Sequence, residues 1–121
     1  MTLEMYALVT REHPRDEVDF DWDQHMEFHS WCDRHDLHAW MERLYDSKGG
    51  MLRVFWKGRL ALTERDLDRL ERHTRCRAAM GKIRGCFLSR IDIDFDDDLY
   101  FIAKAREAIQ MGLTVIYSAE W

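Results

Sequence analysis

Leu37, Trp40, Met41 and Leu44 recur at intervals of three and four, and Gly49-Gly50 follows shortly after them. That spacing sets four large apolar side chains on one stripe of an α-helix. Asp36 is the expected cap of this helix, which runs over 37–48, and glycine past its last turn supplies the left-handed conformation in which helices end. Such a helix is stable only when its stripe is covered, so the rest of the chain must build a second layer.

Material for that layer lies on both sides. LEMYALVT (3–10) and LTVIYSAEW (113–121) are short and rich in strand formers. MLRVFWKGRLAL (51–62) reads as a strand whose Gly58 marks a bulge or tight bend, and IRGCFLSRI (83–91) reads as another. Thr63 and Asp66 stand at the cap and third positions of TERDLDRLERHTR, a capping box with Asp in place of Glu. Asp68–Arg72 and Glu71–Arg75 are its expected four-spaced ion pairs. Asp96, Asp97 and Asp98 open a further helix that buries Leu99, Ile102, Ala103 and Ile109 and stops at Gly112. Between the first strand and the 37–48 helix, Phe28, Trp31, Cys32 and His35 share helical spacing, which predicts a helix over 23–34 capped by Asp21 or Asp23. The expected order is strand, helix, helix, strand, helix, strand, helix, strand. This describes an α+β chain, a single two-layer domain over residues 1–121 with about four helices on a mixed four-stranded sheet.

A length of 121 residues suits one domain, and 46% hydrophobic residues with five Trp, six Phe and four Tyr suffice for its core. A formal charge of −5 disfavours general binding to nucleic acid, which needs clustered Lys and Arg. No basic, apolar leader opens the chain and no apolar run reaches the length of a membrane span. Three cysteines, odd in number and without CxxC spacing, suit a reducing compartment. The expected location is the cytoplasm, with no membrane partner.

Chemistry concentrates in HMEFHSWCDRHDLHAWM, residues 25–41. On a helix, His25, His29 and Cys32 at i, i+4 and i+7 project within about 60° of one another. With His35 or His38 supplied from the next turn they are a candidate zinc set, although no HExxH or paired CxxC accompanies them. The plainer reading leaves these histidines at helix flanks and junctions. His38 borders the apolar stripe and is the candidate general base. No serine stands in a GxSxG or SxxK setting, and neither GxxxxGK[ST] nor GxGxxG occurs. No catalytic residue is assigned.

DEVDFDWD (16–23) and DIDFDDD (92–98) alternate carboxylates with apolar residues. Extended, each presents a charged row opposite an apolar one, suited to a basic partner; the plainer reading is that each caps the following helix. Asp19, Asp21, Asp92, Asp94 and Asp96 are the candidate contacts. Trp56, Tyr117 and Trp121 are candidates for an aromatic patch, and Trp121 could seat in a second copy, making a homodimer.

Leu37-His38-Ala39-Trp40-Met41-Glu42, Leu44-Tyr45, Lys48-Gly49-Gly50, Leu62-Thr63 with Asp66-Leu67-Asp68 and Leu70-Glu71, and Asp97-Asp98-Leu99 with Phe101 to Ile109 together resemble a family of small tailed-phage proteins. Members often carry the label phosphoglycerate kinase, yet this chain has neither the length nor the phosphate loop of that enzyme. The family usually spaces its two histidines with a proline and one more residue, where His35-Asp36-Leu37-His38 is tighter. The resemblance implies a phage or prophage origin and little chemistry. The expected function is a non-catalytic accessory protein that binds a host protein through an acidic and aromatic surface. The alternatives are a zinc protein or small metal enzyme at His25, His29 and Cys32, and an oligomer that sequesters a small ligand.

Overall fold

The stripe at 37–44 forms helix α1, His35–Ser47, which buries Leu37, Met41, Leu44 and Tyr45. The computed structural model describes residues 2–21, 25–84 and 95–121. Asp36 is not the cap: Arg34 holds that position without a side-chain cap bond, and Asp36 lies in the first turn, where a negative charge suits the helix dipole. The other end follows expectation. Gly49 takes φ +86°, and the Gly50 N–H donates to the Tyr45 carbonyl at 3.0 Å.

Strands β1 (Glu4–Thr10), β2 (Met26–Cys32), β3 (Leu60–Leu62) and β4 (Thr114–Glu120) make a sheet of order β2-β1-β4-β3. All its pairings are antiparallel, which corrects the mixed sheet expected from alternating strands and helices. The reason lies in α2 (Glu64–Arg84) and α3 (Phe95–Gln110), which pack against each other. Two successive helical passes return β4 opposite to β3, whereas one would have made them parallel. Among the described residues there are three helices, not four.

Register assigns the faces. Met5, Ala7, Val115, Tyr117, Ala119, Leu60 and Leu62 point into the core shared with the helices. Leu8, Ile116 and Ala61 point to the opposite face, where Phe20 packs over them. The core is therefore thick on the helical side and one residue deep on the other.

The helix expected over 23–34 is strand β2. Its Ser30 and Cys32 lie opposite Tyr6 and Glu4, while His29 and Trp31 lie opposite Ala7 and Met5, the alternation of an extended chain. A register shift between Ala7 and Leu8 inserts Phe28 as an extra residue. Phe28 and His29 both meet α3, at ring distances of 5.8 and 5.5 Å from Phe101. A bulge that turns two adjacent side chains to one side thus imitates the three-residue spacing of a helix face. Residues 22–24, with the expected cap Asp23, lie outside the described residues.

The strand expected over 51–62 shortens to β3. Phe55 buries its ring, and a Cβ on Gly58 would lie 2.6 Å from it, so the chain folds over that ring instead of running straight. The capping box forms as read: the Thr63 N–H donates to Asp66 at 2.9 Å, and the Asp66 N–H to Thr63 Oγ1 at 3.2 Å. Of the two expected pairs on this helix, Glu71–Arg75 forms at 2.8 Å. Asp68 instead meets Arg106 of α3 at 2.7 Å. Residues 83 and 84 of the third expected strand end α2, and 85–91 lie outside the described residues.

Gly50 and Gly49 fail for different reasons when enlarged. A Cβ on Gly50 would sit 2.1 Å from the Tyr45 ring, whereas one on Gly49 meets nothing and only strains the backbone. Gly50→Ala is expected to cost about 1–3 kcal/mol by overpacking and Gly49→Ala about 1 kcal/mol, measured by urea unfolding. Equal costs would show that Tyr45 moves aside freely.

Candidate functional site

Beyond α1 the chain turns through residues 50–59, pinned from within. The Tyr45 hydroxyl accepts the Leu52 N–H at 2.9 Å and donates to the Asp19 carboxylate, whose second oxygen accepts the Met51 N–H at 2.7 Å. The Phe55 ring meets Tyr45 edge-on at 4.9 Å and stacks on Tyr117 at 5.6 Å. The Lys57 N–H donates to the Ala119 carbonyl of β4 at 2.6 Å. Held this way, the loop turns its remaining apolar side chains outward. Met51 is 85% exposed, Val54 56%, Trp56 48%, Leu52 43% and Trp121 36%. The Trp56 indole N–H donates to the Trp121 carbonyl at 3.2 Å, joining loop and strand end into one surface. Exposed apolar residues so concentrated mark a docking surface more often than chance scatter.

Behind this surface lies the histidine expected at the edge of the stripe. His38 Nε2 stands 3.0 Å from Glu42, and Nδ1 stands 2.7 Å from the Tyr117 hydroxyl. A neutral ring then donates to Glu42 and accepts from Tyr117. Burial lowers the His38 pKa below its ordinary 6.5, against the pull of Glu42 and with the help of His35. Burial, and then the Glu42 charge, raises the Tyr117 phenol. Tyr117 is fully buried, so it belongs to the core and not to the aromatic patch.

A second cluster joins β2 to the helices. The Lys104 ammonium lies 2.9 Å from His29 Nδ1, and Nε2 lies 3.0 Å from Asp97. Lys104 also sits 4.3 Å from the centroid of the Tyr100 ring. Beside it, Arg34 donates to Asp98 at 2.6 and 3.0 Å and to Asp36 at 3.1 and 3.2 Å. Trp31 donates to Asp98 at 3.2 Å, and Arg77 to Asp36 at 2.7 Å. Burial works to raise the Asp36 pKa, but the bonds from Arg34 and Arg77 hold it down at about 2. Desolvation raises Asp98 in spite of Arg34. Burial opposes the guanidinium of Arg34, and its two carboxylates raise it nonetheless.

The candidate zinc set does not converge. His29 faces the helices, Cys32 lies on the other side of β2 opposite Glu4, and His38 turns to Tyr117. His25 lines a separate surface groove of about 890 Å³ beside Met26 and Met111. Among the described residues no group of three or more His, Cys, Asp or Glu is placed to hold a metal ion. Cys32 and Cys76 are free and exposed. Desolvation, Asp33 and Glu4 push the Cys32 thiol up, away from the reactive thiolate. No helix among the described residues is long and apolar enough to cross a membrane.

The carboxylates singled out in the sequence divide. Asp19 braces Met51 and Tyr45, and Asp21 pairs with Arg59 at 3.1 Å. Asp96 is exposed in the first turn of α3. Asp92 and Asp94 lie outside the described residues. Trp121 lies at the surface, while in sequence Met51, Leu52 and Val54 look only like strand residues. Five apolar side chains between Gly50 and Gly58 were the available signal, because a strand crossing the sheet would have buried every second one.

Removing one partner of the buried pair should be costly. Arg34→Met is expected to destabilise by about 3–5 kcal/mol, and adding Asp98→Leu to recover most of that, measured by urea unfolding. The lowered His38 pKa has its own sign: the folded form binds the proton less readily than the unfolded chain. Its stabilising share is present above pH 6.5 and is lost as pH falls below it. His38→Gln should flatten the fall in melting temperature between neutral and mildly acid pH; an unchanged slope would assign that fall to other groups. Compared with protein-family models, curated proteins and solved structures, the chain matches none.

Proposed function

We propose that this chain is a non-catalytic accessory protein, of phage or prophage origin, that binds a host protein in the cytoplasm and inhibits or redirects it. The observation that carries the reading is the outward row of Met51, Leu52, Val54, Trp56 and Trp121 on an internally braced loop. Trp is among the residues that dominate binding energies, and a contact centre of this kind excludes water around one or two aromatic anchors. The phage origin rests on the sequence resemblance alone. The histidines that invite a catalytic reading are engaged inside the fold, His29 with Asp97 and Lys104 and His38 with Glu42 and Tyr117. Asp19 and Asp21 then serve binding indirectly, by holding the loop and its base, while Trp121 is a direct contact. Asp96 remains a candidate at a separate place, the start of α3.

The test is affinity capture from bacterial lysate with the native chain and with Trp56→Ala/Val54→Asp. A specific host protein should be retained by the first and reduced about tenfold or more by the second, with matched melting temperatures. Equal capture by both chains, or none by either, would sink the docking role of this surface.

A further inference from the structure

We infer that neutral His38 latches the turn at residues 50–59, and that protonating it opens the turn locally while the sheet beneath stays formed. The latch belongs to the turn itself and holds with or without a partner on its surface. His38 is only 7% exposed, and the rings of Trp121, Phe55 and Tyr117 surround it at 5.6, 5.9 and 6.1 Å. Phe55 is the buried anchor of the turn and stacks on Tyr117, so the group that fixes the loop and the group that titrates share one wall. In the neutral ring, Nδ1 accepts from the Tyr117 hydroxyl at 2.7 Å, and that hydroxyl has no second hydrogen-bond partner among the described residues. A protonated imidazole is a donor at both nitrogens. Two donors then face each other unless the Tyr117 O–H turns away, which strands a buried hydroxyl without an acceptor.

The charge itself is also costly to keep from water. Helix α1 supplies Glu42, 3.0 Å from Nε2, which favours the proton, and His35, which opposes it. Strand β4 presents the Tyr117 hydroxyl, and the turn presents the neutral Phe55 ring. Lys57 and Glu120 lie 3.7 Å from each other where the turn meets β4. Asp19 and Tyr45 brace the other end of the turn, and burial raises the Tyr45 phenol, which keeps its proton near neutral pH. At His38, burial outweighs Glu42 and holds the pKa below its ordinary 6.5. Lifting Phe55 and Trp121 admits water to His38 and Tyr117, so the open turn takes up the proton more readily than the closed one. Opening is therefore favoured as pH falls below 6.5, by up to about tenfold per pH unit until the lowered value is passed.

Amide hydrogen exchange of the full chain, followed by NMR between pH 5.5 and 7.5 and corrected for the intrinsic pH dependence of exchange, reads the opening directly. Leu52 and Lys57, whose N–H groups donate to Tyr45 and Ala119, report the turn. Leu8 and Ile116, paired across the middle of the sheet, report the rest of the fold. Protection at Leu52 and Lys57 should fall below pH 6.5, by up to about tenfold per unit, while Leu8 and Ile116 hold. The fall should vanish in His38→Gln, which carries no titrating ring, and extend to lower pH in Glu42→Gln, which lacks the carboxylate that favours the proton. Should His38→Gln not fold, Glu42→Gln decides alone, and an unshifted fall overturns the latch. Protection that ignores pH, a fall that persists in His38→Gln, or loss at Leu8 and Ile116 in step with the turn each overturns it as well, and none of these results bears on the docking role.

Discussion

A carboxylate and a guanidinium taken out of water together decide how the layers of this fold meet. Asp98 and Arg34 have side chains only 5% and 11% exposed, and burying two charges gains little net stability. What the pair confers is placement. Asp98 comes from α3, Arg34 from the cap of α1, Trp31 from β2, and Arg77 of α2 joins through Asp36. One relative arrangement of three helices and an edge strand satisfies all these donors at once; a slip of any element leaves a buried charge alone. With its first turn so fixed, α1 also sets where Tyr45 stands at its far end, and Tyr45 in turn sets the path of the exposed loop.

The acidic stretch ahead of β2 shows why a charge pattern can be visible while its purpose is not. Val18 bridges to Leu60, and the Ala61 N–H donates to the Glu17 carbonyl at 2.8 Å, so this segment covers the outer edge of β3. Strict alternation would put Val18 and Phe20 on one side. They enter different cores instead, Val18 among the helices and Phe20 under the opposite face, because Asp19 between them takes φ 53°. Aspartate tolerates that left-handed conformation better than most residues. The kink turns its carboxylate toward Tyr45 and Met51, which no period in the sequence announces.

Legibility followed the range of the forces involved. Helices α1 and α3, strands β1 and β4, and the Thr63–Asp66 box depend on neighbours within a turn or on simple alternation, and they stand close to where the residues place them. β2 was misread because a bulge depends on its partner strand: Phe28 gains its orientation from the mismatch with β1, a contact some twenty residues away in the chain. The 51–59 segment was misread for the same reason. Its β-branched and aromatic composition promises a strand, but Phe55 finds its partners in Tyr45 and Tyr117 and takes the backbone down with it. The clusters at His29 and His38 were equally hidden, since each joins residues of distant elements.

That single inward ring explains how a loop so apolar on its outer side keeps one shape. Burial of Phe55 and the bonds from Asp19, Tyr45 and Ala119 restrain the backbone without using the side chains of Met51, Leu52 or Val54 as ballast. Stability and exposure are thus divided between adjacent residues. A binding loop arranged this way loses little conformational entropy when covered, and ordering cost is a large part of what weakens protein contacts. The same division separates their mutational effects: changes to the outward side chains alter what the surface can hold, whereas changes to Phe55, Tyr45 or Asp19 alter whether the surface exists.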